Sequence, residues 1–356
     1  MARCDRLWGI VSRIARVENG AVFLDVQAQN EDGIRRSVAL TAIVGSVAVG
    51  DRVLLNTTAT ALKLGTGGFD WVMAVDSDQA EIEPVGDEHI VKLRYTPGQH
   101  AVAPAEFDAR MAEFPELSGL AVVVCGLHSQ IAGVVAGVKS VFPGARVVLV
   151  QTDTAALPLA FSDLVRKMRS IGWLDGTITC GQAFGGDLEC VSLASALQAG
   201  SVLLSADVVV VSPGPGNAGT GTALGFSGIE QGTWLDTALA LGAGGVGVLR
   251  CSDADPRDRH RGLSHHSVTA LGRLSARSGV VAVPEEFPTL QETVRTSAIA
   301  VRHEMVVVPT TAGMERLLVS GLRPTTMGRS VEQDPLFFAA AVAAGVGAFA
   351  VGARKS

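Results

Sequence analysis

The feature that most constrains the fold is a series of short, almost purely apolar runs that recurs from residue 120 to the end of the chain. Continuous apolar runs of this length predict strands that are buried on both faces, as in a parallel sheet. Amphipathic stretches lie between the runs and predict helices, and this alternation is typical of an α/β fold. The predicted strands are 120–125, 145–150, 176–180, 207–211, 245–251, 279–283, 305–308 and 346–351. The predicted helices are 130–141, 162–170, 192–199, 232–241, 267–278, 289–300 and 334–344.

Residues 7–91 have a different pattern, in which short β-rich runs alternate with turn residues. Asn19-Gly20 predicts a hairpin, because both central residues of a type I′ turn need positive φ. Further turns are predicted at 30–33 and at 65–68. About four to six short strands at this spacing predict a small barrel. Acidic residues outnumber basic ones over residues 1–100, so we expect this domain to serve packing or oligomerisation rather than nucleic-acid binding.

The length of 356 residues predicts two domains, because single hydrophobic cores stop growing near ~250 residues. Pro97, Pro104 and Pro115 surround a helical-looking stretch at 105–114 and mark a boundary. We predict a small β-barrel-like domain at 1–95, a linker with a short helix at 96–118, and a parallel α/β ligand-binding domain at 119–356. The predicted fold class is therefore α/β, with an N-terminal all-β barrel-like domain followed by a larger, mostly parallel sheet that has helices on both faces.

The charge and the apolar segments indicate which partners to expect. The net charge of -6 argues against nucleic acid, whose binding depends on basic surface. Residues 1–9 run into no apolar core, so no secretory signal is predicted and we expect a cytoplasmic protein. The apolar run at 336–351 is shorter than the roughly 18 residues of a spanning helix and contains Gly345 and Gly347. We therefore expect no membrane contact and interpret this run as a buried helix followed by a buried strand; assembly into a homo-oligomer stays open.

Most of the unusual polar residues directly follow the predicted strands. In open α/β sheets, ligands bind beyond the carboxyl ends of the strands, where loops and helix N-termini converge. We therefore expect a small anionic molecule to bind at this edge of the sheet. The candidate ligand-binding residues are His128, Asp153, Gly185, Asp187, Gly214, Gly216, Asn217, Thr220, Thr222, Arg257 and Arg259.

Gly214, Gly216 and Gly219 match the spacing G-x-G-x-x-G after a strand, but their context does not fit a dinucleotide site. Pro215 removes an amide donor, and the acidic residue about 20 positions on, Asp236, lies inside a predicted helix. No NAD site is therefore predicted, and the cofactor stays unknown. Two interpretations remain open, a nest of backbone amides that holds an anion and a tight structural turn.

The segment 253–266 is the densest ionic stretch of the chain, with three arginines and three histidines between 257 and 266. Ser264 predicts a helix N-cap, which would aim His265 and His266 at the first helical turn, where anions bind and the pKa of imidazole falls. Arginine offers bidentate contacts to phosphate or carboxylate, and histidine offers acid–base chemistry. The candidate catalytic residues are His260, His265, His266 and Asp253.

A metal site is an alternative interpretation of the same kind of side chain, because imidazole and carboxylate are ligands of Zn²⁺ and Mn²⁺. No H-E-x-x-H or H-x-H pair occurs, so no metal ligand is assigned, and a Zn/Mn-dependent hydrolase stays open. The residues considered for a metal are His128, Asp153, Asp187, Asp253, Asp255, His260 and His265. The sequence contains no G-x-S-x-G elbow, so no serine hydrolase is predicted.

Five cysteines without C-x-x-C spacing predict reduced core thiols, although a nucleophilic role of Cys125, Cys180 or Cys251 stays open.

Six long motifs are distinctive: LRYTPGQHAV at 93–102, TDTAALPLAFS at 152–162, GQAFGGDLE at 181–189, GTGTALGFSGIEQG at 219–232, DPRDRHRGLSHHS at 255–267 and TMGRSVEQDPLFF at 326–338. In these motifs the chain resembles a bacterial family of unknown function with members in actinobacteria and firmicutes. The resemblance covers essentially the whole chain and implies no activity, substrate or catalytic residue. In that family a histidine often stands at the position of Gln182, which implies that Gln182 is not an obligatory base or metal ligand.

The resulting hypothesis is an enzyme that acts on a small anionic, phosphorylated or nucleotide-like substrate at the strand ends of the α/β domain. The loop 214–222 and two arginines would hold the anion, the histidines would transfer protons, and a carboxylate among Asp153, Asp187 and Asp253 would orient them. The alternative is a non-catalytic ligand sensor or assembly protein that uses the same pocket, and the metal-dependent hydrolase is the second alternative.

Overall fold

The computed structural model describes residues 4–29, 33–63, 67–76, 90–114 and 116–352. The chain divides into two compact units, Met1–Ala103 and Pro104–Ser356. The turns predicted at 30–33 and 65–68 lie largely outside the described residues, as does Pro115 of the predicted linker.

The first unit contains a closed barrel of five strands, which confirms the predicted barrel. The barrel strands are β1 (Arg6–Glu18), β2 (Ala21–Ala28), β3 (Ile34–Leu40), β4 (Arg52–Asn56) and β5 (Asp70–Asp76). They pair in the order β1-β2-β3-β5-β4, and small residues such as Val11, Val26 and Val53 fill the interior. The unit also contains the helices α1 (Thr41–Val44) and α2 (Thr58–Ala61) and the antiparallel pair of β6 (Ile90–Lys92) and β7 (His100–Val102).

The predicted hairpin at Asn19-Gly20 is confirmed, since β1 and β2 pair with Glu18 opposite Ala21. Gly20 has a φ of 80°, whereas Asn19 is not among the residues with positive φ. The turn is therefore not of type I′, which needs positive φ at both positions. A single glycine is enough to reverse the chain here.

The second unit is built on a parallel sheet of eight strands in the order β11-β10-β9-β12-β8-β13-β16-β17. A separate two-stranded antiparallel ribbon, β14 with β15, lies between β13 and β16 in the chain. The strands are β8 (Ala121–Val124), β9 (Val147–Thr152), β10 (Gly176–Cys180), β11 (Leu188–Cys190), β12 (Val208–Pro213), β13 (Gly244–Gly247), β14 (Cys251–Ser252), β15 (Gly262–Leu263), β16 (Val280–Pro284) and β17 (Glu304–Val308). The helices are α3 (Ile131–Val141), α4 (Asp163–Ser170), α5 (Leu193–Val202), α6 (Gln231–Ala240), α7 (His265–Ser267), α8 (Pro288–Arg295), α9 (Ala298–Arg302), α10 (Thr311–Val319) and α11 (Pro335–Gly352).

Alternate side chains of the strands point into two hydrophobic cores, one on each face of the sheet. In β8, Val122 and Val124 belong to one core, and Ala121 and Val123 belong to the other. Helices α5, α6, α8 and α9 contribute to the first core, whereas α3, α4, α10 and α11 contribute to the second. The unit therefore has three layers, and the predicted α/β class with helices on both faces is confirmed.

The strand predicted at 346–351 is wrong, because these residues continue α11. Gly345 and Gly347 do not interrupt this helix but allow it to pack closely. A Cβ at Gly345 would clash with the carbonyl oxygen of Val134 in α3, and one at Gly347 would lie 2.7 Å from Cβ of Ala282 in β16. Within the part of the chain that the structure describes, no helix combines the length and the apolarity needed to cross a bilayer.

Three other helix predictions differ from the structure. The helix predicted at 105–114 is a pair of 3₁₀ turns, Ala105–Phe107 and Ala109–Met111. The helix predicted at 267–278 is replaced by α7 and a π-helix, Val268–Leu274. The helix predicted at 289–300 divides into α8 and α9, because the hydroxyl of Ser297 accepts a hydrogen bond from the backbone N–H of Ile299 and starts a new helix.

Candidate active site

The carboxyl ends of the central strands form the type of crevice in which open α/β sheets bind ligands. β8 and β12 are neighbours, and the chain leaves β8 through α3 on one face and β12 through α6 on the other. The strand order reverses at this point, which opens a crevice between the two connections. Gln231, where the connection after β12 enters α6, joins the ends of β8 and β13, because its side-chain amide donates to the carbonyl oxygens of Val124 and Val248, each at 2.8 Å. The loops after β8, β12 and β13 therefore meet.

His128 lies in the turn after β8 and has partners at both ring nitrogens. Its Nδ1 is 3.0 Å from the carbonyl oxygen of Pro213, and its Nε2 is 2.7 Å from Oγ of Ser162. Because a carbonyl can only accept, Nδ1 carries the proton and Nε2 accepts from the serine hydroxyl. Burial lowers the pKa of His128 to about 4, so the ring is neutral at pH 7. His128 therefore links the β8 and β12 loops to the N-cap of α4.

The glycine-rich loop after β12 is a closed turn held by its own side chains. The backbone N–H of Thr220 donates to the carbonyl of Gly225 at 2.8 Å, and the N–H of Gly225 donates to the hydroxyl of Thr222 at 3.1 Å. The two threonine hydroxyls lie 2.9 Å apart, so each already has a partner inside the loop. A Cβ at Gly214 would clash with the carbonyl oxygen of Ala156, which gives this glycine a packing role. Asn217 donates from Nδ2 to the carbonyl of Gly126 at 2.9 Å and joins the loop to the end of β8.

Three histidines from the segment after β13 lie together in one cluster. One ring nitrogen from each of His260, His265 and His266 falls within 4.8 Å of the others. Ser264 organises the cluster, because its Oγ accepts the backbone N–H of His266 at 3.2 Å and lies 2.7 Å from Nδ1 of His260. The N-cap predicted at Ser264 is thus confirmed. The ring of His266 stacks on Phe226 with a centroid distance of 3.7 Å and an interplanar angle of 4°.

Burial and nearby arginines keep the three imidazoles of this histidine cluster neutral. Burial lowers the pKa of His260 to about 3, and the charges of Arg250 and Arg257 act in the same direction. Burial, followed by the charge of Arg250, lowers the pKa of His266 to about 2. Burial and then the charge of Arg259 lower the pKa of His265. Each ring therefore offers one N–H donor and one acceptor nitrogen at pH 7.

Asp255 gathers the arginines beside the histidine cluster. Its side chain is buried, and it accepts two hydrogen bonds from Arg257, from Nε at 2.8 Å and from Nη2 at 2.7 Å. The guanidinium groups of Arg250 and Arg329 approach the same carboxylate to 3.7 and 3.6 Å. The hydrogen bonds from Arg257 hold the pKa of Asp255 well below its usual range. Arg329 also pairs with the buried carboxylate of Asp334 at 3.0 Å.

Arg259 differs from these three arginines because its guanidinium is exposed and faces the glycine-rich loop. Its Nη and Cζ atoms lie 3.8 Å from the position of a Cβ on Gly221. Among the residues that the structure describes, no carboxylate lies within 4.0 Å of Arg259. The structure therefore brings together Arg257, Arg259 and the three histidines of the sequence-predicted site, but Arg257 is already bound by a carboxylate.

Three of the predicted ligand-binding residues, Asp153, Gly185 and Asp187, belong to the loops after β9 and β10, on the side of the sheet away from β13. Asp187 accepts hydrogen bonds from Thr177 at 2.8 and 2.9 Å and pairs with Arg169 at 2.7 Å. Thr177 is near the start of β10, four strands away from β13, which corresponds to ~19 Å at the usual strand spacing. Asp153 accepts the backbone N–H of Gln182 at 3.0 Å, and Gly185 donates to Glu189 at 2.6 Å. None of these contacts joins the histidine cluster.

Asp253, a predicted catalytic residue, lies on a separate cleft of about 290 Å³. The cleft is also lined by Leu263, Glu286 and Leu336. Glu286 is committed to capping α10, because it accepts the backbone N–H of Thr310 at 2.8 Å. Within the described ranges, no hydrogen bond or ion pair connects Asp253 with the histidine cluster.

Phe226, Arg250 and Arg329 complete the site and were not predicted from the sequence. Arg250 falls inside the strand predicted at 245–251. A charged residue within an apolar run is unusual, and this feature could have identified Arg250 as a candidate site residue. The π-helix that follows α7 is another unusual feature at this position, since π-helical turns are frequent at functional sites. The three ring nitrogens lie close enough together to bind a transition metal if the side chains move slightly. Four guanidinium groups, however, place positive charge beside the histidine cluster, where the metal would sit.

Comparison with protein families matches residues 36–345 to a family described as "Protein of unknown function (DUF3866)". Comparisons with curated proteins and with solved structures found no match. The match covers nearly the whole chain and confirms the resemblance to a family of unknown function. The chain therefore belongs to the DUF3866 family.

Proposed function

We propose that the protein is an enzyme that binds a small anionic, phosphorylated substrate beside the histidine cluster and acts on it by proton transfer. The observation that carries the proposal is a cluster of three neutral imidazoles next to an excess of guanidinium charge. Four arginines contribute positive charge here, and among the described residues the carboxylates that pair with them are Asp255 and Asp334. A site of this kind attracts an oxyanion and supplies groups that donate and accept protons.

Arg259 and His265 each have a polar group that is free to bind a ligand within the part of the chain that the structure describes. Arg259 is exposed and has no carboxylate partner among the described residues, so its five N–H donors are available to an anion. Nε2 of His265 is buried and has no hydrogen-bond partner within the same part of the chain. Buried polar atoms are normally paired, and an unpaired one at a candidate site supports a role in binding a ligand. We assign anion binding to Arg259 and proton transfer to His265.

The second candidate function is metal-dependent hydrolysis, and the specific observation in its favour is the spacing of the three ring nitrogens within 4.8 Å. A non-catalytic sensor would use the same anion contacts without turnover. The enzyme and the sensor would both be stabilised by phosphorylated compounds, but only the enzyme would consume them. The metal-dependent hydrolase would be stabilised by metal ions.

The first experiment is a thermal-shift and calorimetric screen of the full-length protein against inorganic phosphate, phosphorylated metabolites and divalent metals, with a chelator control. A ligand at 100 times its dissociation constant adds about 2.7 kcal/mol of stability. We expect phosphorylated compounds to stabilise the wild type and Arg259→Met to weaken this effect. Arg261→Met is the matched control, because Arg261 lies two positions after Arg259, is exposed and, among the described residues, forms an ion pair with the exposed Asp258.

Turnover of the compounds that bind then separates an enzyme from a sensor. We expect His265→Gln to abolish turnover while it retains binding of the anion. Binding without turnover in the wild type would favour the sensor. Stabilisation by metals alone, with no response to any phosphorylated compound, would contradict the proposal and favour the metal-dependent hydrolase.

A further inference from the structure

The contact between Arg250 and His266 determines which ring nitrogen of His266 carries the proton. Nη1 of Arg250 lies 3.0 Å from Nδ1 of His266. A guanidinium group has five donors and no acceptor, so Nδ1 must be the acceptor in this hydrogen bond. Arg250 stays charged, since its pKa falls only to about 10. Because the ring of His266 is neutral, its single proton is on Nε2.

Both partners of this hydrogen bond are held in place by contacts on their other side. The side chain of Arg250 is 13% exposed and approaches the carboxylate of Asp255 to 3.7 Å. Asp255 is itself fixed by two hydrogen bonds from Arg257. The ring of His266 cannot turn freely because it stacks on Phe226 at 3.7 Å. The orientation of Nε2 is therefore set by five side chains that pack against one another.

We infer that His266 presents Nε2–H to the ligand as a fixed hydrogen-bond donor and that Asp255 is the positioning residue that enforces this state through Arg250. The inference rests on the proposed function and narrows its ligand to an oxyanion, such as the phosphate group of a phosphate ester. An oxyanion accepts hydrogen bonds from His266 and from the arginines alike.

The same hydrogen bond argues against a metal ion in the histidine cluster. A metal needs the lone pair of the nitrogen that it contacts, and a metal-binding histidine donates its other N–H to a carboxylate, a carbonyl or water. The second nitrogen of His266 instead faces a guanidinium group, which cannot accept. His266 would have to lose its only proton, or break its contact with Arg250, before it could bind a metal through Nε2.

Nitrogen NMR of the full-length protein with ¹⁵N-labelled histidine tests the inference directly. We expect Nδ1 of His266 to resonate as an unprotonated nitrogen and Nε2 as a protonated one, with the signals assigned by their loss in His266→Gln. On addition of inorganic phosphate, we expect the Nε2–H signal of His266 to shift. A proton on Nδ1 in the free protein would overturn the inference. The inference would also be overturned if calorimetry showed that phosphate binds but the Nε2–H signal of His266 did not shift. Binding of one equivalent of Zn²⁺ that perturbs all three rings would overturn it as well.

Variants separate the positioning role from general damage to the fold. We expect Arg250→Met and Asp255→Asn to mix the two tautomers of His266 and to raise the dissociation constant for phosphate about tenfold, which corresponds to about 1.4 kcal/mol. Arg261→Met should change neither quantity. If either variant unfolds, the wild-type spectrum still decides the tautomer. If phosphate gives no binding heat, the proposed function fails. The protonation state that we infer for His266 is tested separately, by the tautomer measured in the free protein.

Discussion

Acidification should destabilise the α/β unit through His128, and His128→Gln should remove this part of the pH dependence. Burial lowers the pKa of His128 to about 4, whereas an exposed histidine titrates near ~6.5. As the pH falls, His128 is protonated in the unfolded chain before it is protonated in the folded protein. The stabilisation that comes from burying a neutral His128 is therefore fully present above pH ~6.5 and is lost as the pH falls toward 4. The difference of about 2.5 pKa units, at 1.36 kcal/mol per unit, makes this loss about 3 kcal/mol at pH 4.

Urea unfolding followed by far-ultraviolet circular dichroism between pH 4 and 7.5 measures this effect. Glutamine can still donate to the carbonyl of Pro213 or accept from Ser162, but it cannot take up a proton. We therefore expect the difference in unfolding free energy between wild type and His128→Gln to shrink by about 3 kcal/mol from pH 7 to pH 4. An NMR titration of His128 should give a pKa near 4. Equal pH dependence of the two proteins, or a pKa of His128 near the value of exposed histidine, would refute the argument from burial.

Three further substitutions test the packing and the polar contacts by the same unfolding measurement. Gly345→Ala should destabilise the protein by about 1–3 kcal/mol, because the new Cβ meets the carbonyl oxygen of Val134; an unchanged midpoint would mean that α11 can move away from α3. Asp255→Ala should cost about 3–5 kcal/mol, since it leaves Arg250 and Arg257 without a counter-charge, and a neutral effect would show that water replaces the carboxylate. Ser162→Ala should cost about 1 kcal/mol through loss of the N-cap of α4, and no loss would indicate that another group caps this helix.

The strand pattern of the α/β unit was predictable because its central strands are buried on both faces and consist of uninterrupted valine-rich runs. β11 was missed, since a strand of three residues at the edge of a sheet, such as Leu188–Cys190, carries no such run. The end of α11 was mistaken for a strand because a short run of alanine, valine and glycine has no periodicity that separates a buried helix from a buried strand. Only the contacts of Gly345 with α3 resolve this ambiguity, and those contacts are distant in sequence.

The candidate site was partly predictable for a related reason. His260, His265 and His266 lie within seven positions of one another, so their local density was visible in the sequence. Phe226 and Arg329 reach the same region from distant loops. Both lie inside distinctive motifs, at 219–232 and 326–338, but a motif of unknown role does not place its residues in a site. Asp187 was expected near the histidines because it follows a strand, but the connection after β10 turns back toward the start of that strand.

The electrostatics of the histidine cluster impose a condition on any proton transfer there. Burial, and after it the charges of the arginines that attract an anion, lower the pKa of the histidines, so the free protein holds neutral rings that cannot donate a second proton at pH 7. A bound oxyanion would offset the charges of Arg259 and Arg250, which are the two charges that depress the pKa of His265. Binding of the anion and proton uptake by His265 would therefore favour each other, by the same factor in both directions. Under the proposed function, His265 becomes an effective acid only when the substrate is in place.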